Sequence, residues 1–444
     1  MKILVNTYIL LIGLVCLVAC KRNDLPGHDP NIPIVIDRFI PEEGQGGTEM
    51  LIFGRNFSSD TSDVVVTING VRAKITGINH ERILLIVPEE AGTGLVEVQI
   101  GGQKESSNEP FRFPPVFRWR ITTLAGNGQA GFADGQGSAA QFNFDRAPGL
   151  DVDADGNVYV ADAGNNRIRK ITPDGTVSTY AGNGVAGYAD GAAAEAQFDT
   201  PFDVAVDQDN NVYVADTWNA KLRKVDPDGQ VSTVTGVGDV VGVAVDPRNN
   251  NVMVSSLSGG AVYQVASNGN LTPVLEGLGW VSGLAINKEG ILYVVETGNS
   301  VIHRVDLKSL DDGAGTSTVI AGVAGKTGLL DGPGATALFD RPWGIAINPV
   351  SGVLFVAGDA GPYGGPGYGD EGNRTNQCIR SINPRGWEVS TFAGTSEWGY
   401  EDGLLDEARF NNPTGVAVGQ DGSVYVVDAN NHCVRKIVGE EVYE

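Results

Sequence analysis

From about residue 121 to the end, the chain repeats a pattern of short alternating strands, and this repeat constrains the fold more than any other feature. Two successive units show it most clearly, each with three apolar-polar alternating segments: 149–153, 157–162 and 167–171, then 204–207, 211–216 and 221–225. A fourth strand of the type 177–182 completes each unit. A four-stranded sheet of this size cannot bury both of its faces alone, and radial stacking of four to eight such sheets solves the problem.

The two ends of the repeated segment predict how many sheets there are and how they join. The segment opens with a lone strand of the fourth type at 121–126 and stops after a strand of the third type at 434–437. Together these two complete one unit, so six first strands and six fourth strands match with none left over. The sequence therefore predicts a closed six-bladed ring in which residues 121–126 supply the outer strand of the last blade.

The repeats resemble NHL repeats over the whole segment, which implies an NHL-type β-propeller. The stretch before them alternates in runs such as 64–68, 83–87 and 95–100, separated by glycine turns. It resembles the IPT/TIG family of Ig-like domains through Pro41, Gly47, Gly54-Arg55-Asn56-Phe57, Asn69-Gly70, Ala73, Pro88 and Gly92-Thr93-Gly94. The predicted fold class is all-β, an Ig-like β-sandwich followed by a closed six-bladed NHL-type β-propeller, with the IPT/TIG domain at 34–115 and the propeller at 116–444.

The N-terminus carries an export signal. Lys2 precedes an apolar stretch at 9–18 that ends in Leu17-Val18-Ala19-Cys20, and the stretch is too short for a stable transmembrane helix. It resembles a bacterial lipoprotein signal, which implies cleavage after residue 19, lipidation of Cys20 and a linker at 20–33; an uncleaved N-terminal anchor is the alternative. No Asp follows Cys20 directly, as in lipoproteins of the outer membrane. We expect an outer membrane lipoprotein that faces the periplasm or the cell surface, with the lipid as its only membrane contact.

The charge balance excludes one class of partner. The formal net charge is −23, from 31 Lys and Arg against 54 Asp and Glu. Nucleic-acid binding needs a basic patch that releases counterions, and no basic run longer than 167–170 exists here. We also expect Cys378 and Cys433 to stay unbridged, because they begin equivalent third strands in adjacent blades.

Four of the connections that enter a blade are long and share a motif in which an Asp-Gly pair precedes a Phe by eight residues. The pairs are Asp134 and Phe142, Asp190 and Phe198, Asp331 and Phe339, and Asp402 and Phe410. We interpret the motif as a self-packed lid, with the Phe in the blade core and the Asp at a turn. A shared calcium site is the alternative. For the carboxylates after each second strand (Asp162, Asp216, Glu296 and Asp428), we expect bonds to turn amides or to a neighbouring Arg.

Departures from the repeat point to a ligand-binding face. The loop from second to third strand in blade five expands to 358–377, rich in Tyr and Gly, and several tryptophans lie in loops of the same face, Trp280 among them. Aromatic rings beside polar groups suit sugar rings, which stack on one side and hydrogen-bond at their hydroxyls. The predicted ligand-binding residues are Trp218, Trp343, Tyr363, Tyr368, Asp370, Arg374, Trp398 and His432.

Three functions follow from different features. The first is a glycan-binding protein, and the second is a platform that docks or adheres to other proteins, as other NHL propellers do. The third is a lyase or lactonase-type hydrolase with an axial metal, which related six-bladed propellers imply. That enzyme would need His ligands or an acidic set at the channel. Of the four His residues, His28 and His80 lie outside the propeller, and His303 and His432 lie in blades four and six, which does not suit a three-His metal site. Asp203 is then the one acidic candidate at the start of an innermost strand.

Overall fold

The computed structural model describes residues 28–114, 116–308, 317–358 and 376–442. It is all-β, as predicted, and its helical elements are short 3₁₀ turns such as Gly137–Ala139, Ala163–Asn165, Thr297–Asn299 and Ala429–Asn431. None of the described residues belongs to a helix with the length and apolarity needed to cross a bilayer. The chain forms two compact units, of which the first ends at Arg118 and the second comprises Trp119–Glu440.

The first unit is a β-sandwich of two four-stranded antiparallel sheets, in the orders β1-β2-β6-β5 and β4-β3-β7-β8. Alternate residues of each strand point inward, which the sequence alternation predicts, and Met50, Ile52, Val66 and Val98 are fully buried between the sheets. The strands are β1 (Val35–Ile40), β2 (Glu49–Arg55), β3 (Val64–Ile68), β4 (Val71–Arg72), β5 (Lys74–Asn79), β6 (Arg82–Ile86), β7 (Gly94–Ile100) and β8 (Gln103–Phe111).

The first three blades of the second unit are separate antiparallel sheets whose four main strands run in chain order from the innermost strand outward, and in blades one and two a short strand that precedes them in the chain pairs with the outer one. Blade one has β10 (Gly135–Gln136), β11 (Leu150–Val152), β12 (Val158–Asp162), β13 (Arg167–Ile171) and β14 (Thr176–Ala181). Blade two has β15 (Gly191–Ala192), β16 (Pro201–Val206), β17 (Val212–Asp216), β18 (Lys221–Val225) and β19 (Gln230–Gly236). Blade three has β20 (Val240–Val245), β21 (Val252–Ser256), β22 (Ala261–Val265) and β23 (Leu271–Leu275).

The other three blades repeat this arrangement. Blade four has β24 (Val281–Ile286), β25 (Ile291–Glu296), β26 (Val301–Asp306) and β27 (Ser317–Ala321). Blade five has β28 (Gly332–Pro333), β29 (Pro342–Ile347), β30 (Leu354–Gly358), β31 (Cys378–Ile382) and β32 (Glu388–Gly394). Blade six has β33 (Gly403–Leu404), β34 (Pro413–Val418), β35 (Val424–Asp428) and β36 (Cys433–Val442), with β9 (Val116–Gly126) as its outer strand.

The position of β9 confirms the prediction for residues 121–126. In the last sheet β9 lies between β36 and β33, so one blade combines the first and last strands of the propeller. Blade six also packs against blade one, because Ala417, Tyr425 and Val427 share a core cluster with Val158 and Val160. Each of the other five pairs of successive blades shares a cluster of the same kind.

Four blades carry a fifth strand that sequence reasoning did not predict. The two-residue strands β10, β15, β28 and β33 each pair with the outer strand of their blade, whereas blades three and four have four strands among the described residues. Each fifth strand begins with the Gly of the Asp-Gly pair of the lid motif. Each motif therefore folds back over its own blade.

Cys378 and Cys433 are free and buried, which confirms that they are unbridged.

Candidate functional site

One end of the propeller, here called the long-loop face, contains the loops that lead into each innermost strand and those that join each second strand to the third. The entering loops of blades one, two, five and six are long, at 127–149, 182–200, 322–341 and 395–412. Those of blades three and four are the short segments 237–239 and 276–280. This face is where the chain departs most from its repeat.

The long entering loops are held down by four fully buried arginines, Arg169, Arg223, Arg380 and Arg435. Each reaches the Asp of its lid motif, at 2.6 Å for Asp134, Asp190 and Asp331 and at 2.8 Å for Asp402. The motif Phe of each blade is buried beneath, with its ring centre 5.1 or 5.2 Å from the guanidinium carbon. The self-packed lid with its Phe in the blade core is confirmed, whereas the Asp does not lie at a turn as expected but pairs with the buried Arg directly before the fifth strand. No group of three or more His, Cys, Asp or Glu side chains suited to a metal ion occurs among the described residues.

The carboxylates after the second strands complete the lids, as expected. Asp216 accepts hydrogen bonds from Arg223 at 2.7 Å, from Asn219 at 2.8 Å and from the backbone N–H of Asp199 at 2.8 Å. Asp162 and Asp428 bond their own arginine and turn in the same way. A buried guanidinium needs such paired acceptors, since an unpaired buried charge is strongly destabilising.

Blade four replaces the pair of Asp and Arg by Glu296 and His303. The imidazole Nε2 lies 2.7 Å from the Glu296 carboxylate, and both side chains are buried. The other Glu296 oxygen accepts the backbone N–H of Gly279 at 2.6 Å. This bond fixes the loop that presents Trp280.

Exposed aromatic rings concentrate on the long-loop face. Of the described propeller residues, six have an exposed aromatic ring, and all six lie in loops of this face: Phe132, Tyr188, Trp218, Trp280, Trp398 and Tyr400. Phe132, Tyr188 and Tyr400 each lie against a lid arginine. The three tryptophans extend to solvent, with exposed fractions of 59% for Trp218, 43% for Trp280 and 70% for Trp398.

The structure treats two of the predicted tryptophans differently. Trp218 is exposed and is stacked by Arg146, whose guanidinium carbon lies 4.9 Å from the ring centre. Trp343 is only 4% exposed, because it packs with Phe202, Val241, Leu257 and Ala147 in a small core cluster. Its placement on the contact surface is therefore corrected: Trp343 supports the blades from below that surface.

His432 also has a structural partner. Its Nδ1 accepts the backbone N–H of Phe144 at 3.1 Å, and burial lowers the pKa of the imidazole, which keeps it neutral and able to accept. Asn166 accepts from the N–H of Thr200, and Gln377 from that of Asn412, at the corresponding positions of blades one and five. The prediction of His432 as a ligand contact overlooked this bond between blades.

The remaining predicted residues, Tyr363, Tyr368, Asp370 and Arg374, lie outside the described residues, as does Cys20. Their roles stay predictions. Asn376 and Gln377, which close the same loop, are buried and hydrogen-bonded to the neighbouring entering loops.

Sequence reasoning missed a set of residues that surround the centre of the face. In five blades a residue shortly before the innermost strand has a left-handed backbone, although it is not a glycine. These residues are Arg146, Thr200, Asp239, Arg341 and Asn412, with φ between 44° and 70°. Four of these residues are followed by Pro or Ala, and this was the sequence signal that could have identified the position. Arg146 and Asp239 border the loops with the exposed tryptophans.

The axis of the propeller holds a cavity of about 190 Å³ lined by the innermost strands. Asp203 and Asp151 border it, and each bonds a backbone N–H of the next blade, that of Val243 at 3.0 Å and that of Val206 at 2.8 Å. Enclosure by protein raises the pKa of Asp203 to about 8 and that of Asp151 to about 6. Both carboxyl groups therefore connect neighbouring blades.

The cavity is covered at the long-loop end. Phe202 and Trp343 come from blades two and five, which lie across the axis from each other, yet they share one buried cluster. This cluster spans the axis between Asp203 and the face. Asp203 itself is half-buried at the cavity.

Family models match both parts of the chain. The IPT/TIG domain model matches residues 34–113, and the NHL repeat model matches residues 144–171 and 410–437. The chain therefore carries an IPT/TIG domain followed by NHL repeats, as the resemblance predicted. The two matched NHL units belong to blades one and six, which pack against each other.

The curated relatives include NHL repeat-containing proteins. NHL repeat-containing protein 2 of Bos taurus is 26% identical over 340 residues, which cover 63% of this chain and 44% of the relative. The chain thus spans less than half the length of this relative.

Solved structures with a similar fold include two from Bacteroides. An auxiliary nutrient binding protein from Bacteroides thetaiotaomicron matches with a TM-score of 0.59 and 23% identity, over 94% of this chain and all of that one. A protein of the same description from Bacteroides ovatus has a TM-score of 0.56 and 23% identity over the same shares.

Proposed function

We propose that this protein is a lipid-anchored binding protein of the cell envelope that holds a glycan on the long-loop face of its propeller. The observation that carries the proposal is the distribution of aromatic rings. Every exposed aromatic ring of the described propeller residues lies in loops of this one face. Soluble proteins rarely gather exposed aromatic side chains on one side unless that side binds something.

The chemistry of the face suits a sugar. Trp218, Trp280 and Trp398 present flat apolar rings, while Asp239, Asn219 and Asn299 lie in neighbouring loops with carboxylate and amide groups. A pyranose ring stacks its axial hydrogens on an indole and bonds its hydroxyls to such groups. Tyr363 and Tyr368 of blade five would add two further rings.

The relatives of known fold support a binding role. The two Bacteroides proteins with this architecture are described as auxiliary nutrient binding proteins. An export signal with Cys20 as the lipid site agrees with a protein that holds nutrients at the envelope. The covered axial cavity favours binding at the surface over a reaction at Asp203.

The test is retention of the purified protein by a panel of neutral and acidic polysaccharides in affinity gels, with and without calcium. We expect at least one neutral polysaccharide to retain the wild type. The double variant Tyr363→Ala and Tyr368→Ala should then bind measurably more weakly at unchanged thermal stability. No retention by any polysaccharide would contradict the glycan proposal and favour protein docking. Retention that requires calcium would support the alternative of a shared calcium site.

A further inference from the structure

The entering loops of the long-loop face differ in length from blade to blade. Blades one, two, five and six each carry a lid with a fifth strand, whereas blades three and four enter their innermost strands through 237–239 and 276–280. The low side is therefore bordered by the lid of blade two and by that of blade five. We call this side the low cleft, formed by 237–239, 257–260, 276–280 and 297–300.

The floor of the low cleft consists mainly of small residues and exposed backbone. Gly238, Gly259, Gly277 and Gly298 are all exposed there. Side chains that would keep a ligand away from the main chain are missing at these positions. A flat ligand can therefore approach the backbone closely.

The floor is nonetheless held in place. Leu257 donates its backbone N–H to Asp239, Leu278 donates to Gly260, and Gly298 donates to Trp280, at 3.0 to 3.3 Å. The hydroxyl of Thr217 donates to the carbonyl of Val240 at 2.7 Å and so ties blade two to blade three. A rigid floor reduces the entropy lost on binding.

Two exposed indoles border this floor. Trp218 lies in the loop 217–220 of blade two, and Arg146 covers one side of its ring at 4.9 Å. Trp280 ends the loop 276–280, where Glu296 bonds the adjacent Gly279. Trp398, in contrast, belongs to the lid of blade six.

The charges of the floor select the class of ligand. Asp239 and Glu276 are exposed, and the four segments contain no Lys, Arg or His. Arg146, stacked on Trp218, is a positive charge at the border of the cleft, while the floor itself repels phosphate, sulfate and uronate groups and offers carboxylate acceptors to hydroxyls. Neutral sugars satisfy both conditions.

We infer that the low cleft binds an interior segment of a neutral, linear glycan chain, which lies across blades three and four with sugar rings on Trp218 and Trp280. This inference rests on the proposed function and adds its location and ligand class. Because the described loops of blades three and four form no wall at the rim of these blades, the glycan chain can continue past the site. Affinity should therefore rise from disaccharide to hexasaccharide and should not change when the reducing end is reduced to an alditol.

The experiment is calorimetric titration with oligosaccharides cut from the neutral polysaccharide that the protein retains. Trp218→Ala and Trp280→Ala should each weaken hexasaccharide binding by about 2-fold to 10-fold, the range that stacking energies give. Trp398→Ala compares another part of the same face, since Trp398 is even more exposed but lies in the lid of blade six, and it should weaken hexasaccharide binding less than either cleft variant does.

A second pair of variants tests the cleft without removing an aromatic ring. A Cβ at Gly238 meets no atom within 4 Å, and its backbone is not left-handed, so Gly238→Gln adds a side chain to the floor without strain. Gly102 of the Ig-like domain has the same freedom, and Gly102→Gln is the control. We expect Gly238→Gln to reduce affinity at unchanged stability and Gly102→Gln to have no effect.

The outcomes separate the two proposals. If Trp398→Ala weakens binding while the Trp218, Trp280 and Gly238 variants do not, the low cleft is wrong and the glycan-binding function stands. If a disaccharide binds as tightly as the hexasaccharide, or if reduction of the end abolishes binding, the interior-segment inference is overturned. If only acidic polysaccharides or basic peptides bind, the ligand class is wrong.

Discussion

The Nδ1 atom of His432 accepts a hydrogen bond from the backbone N–H of Phe144 across 3.1 Å, so that a residue of blade six holds the entering loop of blade one. The two residues are 288 positions apart in the chain. Asn166 makes the corresponding bond from blade one to blade two. His432 therefore acts as a joint between the last and the first blade.

Replacing His432 tests this joint. His432→Ala leaves the buried N–H of Phe144 without its acceptor, which costs about 1–3 kcal/mol of unfolding free energy. His432→Asn should stay close to the wild type, because Asn166 serves in the equivalent place and Asn tolerates the left-handed backbone found at His432. Denaturant unfolding of the three proteins at pH 8 measures the difference, and equal stability of the Ala and Asn variants would contradict the joint.

The lid of blade five should be more fragile than that of blade two. In blade two, Arg223 pairs with both Asp190 and Asp216. In blade five, Gly358 stands where blade two has Asp216. Asp331 is therefore the one carboxylate partner of Arg380 among the described residues. Asp331→Asn should cost about 3–5 kcal/mol, since it leaves a buried charge unpaired. Asp190→Asn should cost roughly 1 kcal/mol, because Asp216 remains. Thermal unfolding compares them, and a larger loss for Asp190→Asn would refute this explanation.

The fold could be predicted because its signals are local and repeated. The alternation of residues such as 157–162 defines a strand without any knowledge of its neighbours, and the lone strand at 121–126 identified the sheet to which it belongs. The fifth strands escaped prediction because two residues such as Gly191–Ala192 carry no periodicity. Their pairing depends on a lid that Arg223 holds from another strand.

The site was less predictable, because burial is decided by the assembled ring. Trp343 and Trp280 both lie at the start of an innermost strand, but only Trp343 packs with Phe202 from the opposite blade and becomes buried. The acceptor role of His432 depends on Phe144, which no local pattern connects to it. The sequence shows that the loops 237–239 and 276–280 are short. That they border a cleft follows only from the lids that the structure places on blades two and five.

Removal of residues 121–126 tests the dependence of the ring on β9. This strand bonds both β36 and β33, and its Ile121 and Ala125 are fully buried. We expect the deletion to expose an unpaired strand edge and to cause aggregation. As a milder pair, Ile121→Asp should destabilise the propeller, whereas Thr122→Asp on the exposed side should not. A monomeric deletion variant that unfolds cooperatively at the wild-type temperature would show that the ring does not need this strand.

Asp203 should make stability fall as the pH rises. Its pKa is about 8 in the folded protein against an ordinary value of 3.8, so folding takes up a proton between these values, and this stabilising contribution is lost as the pH approaches 8. Asp151 and Asp428, whose pKa values are both raised to about 6, contribute to the slope near pH 6, and as the pH rises further Asp203 accounts for a growing share of it, up to about 1.4 kcal/mol per pH unit. Asp203→Asn should flatten the stability profile between pH 6 and 8.

The control for this profile is Asp228→Asn, which removes an exposed carboxylate of a turn. Its profile should follow that of the wild type. If Asp203→Asn leaves the slope between pH 6 and 8 unchanged, the carboxyl group of Asp203 is already ionised in the folded protein at neutral pH.

The central claim is that the long-loop face holds a neutral glycan, and hydrogen exchange with and without the retained oligosaccharide tests it most directly. The account predicts slower amide exchange on binding in the loops 217–220, 237–239, 257–260 and 276–280, with the sandwich of 34–113 and the turns of the opposite face unchanged. Protection confined to the sandwich or to the opposite face, or no protection with any glycan, would contradict it.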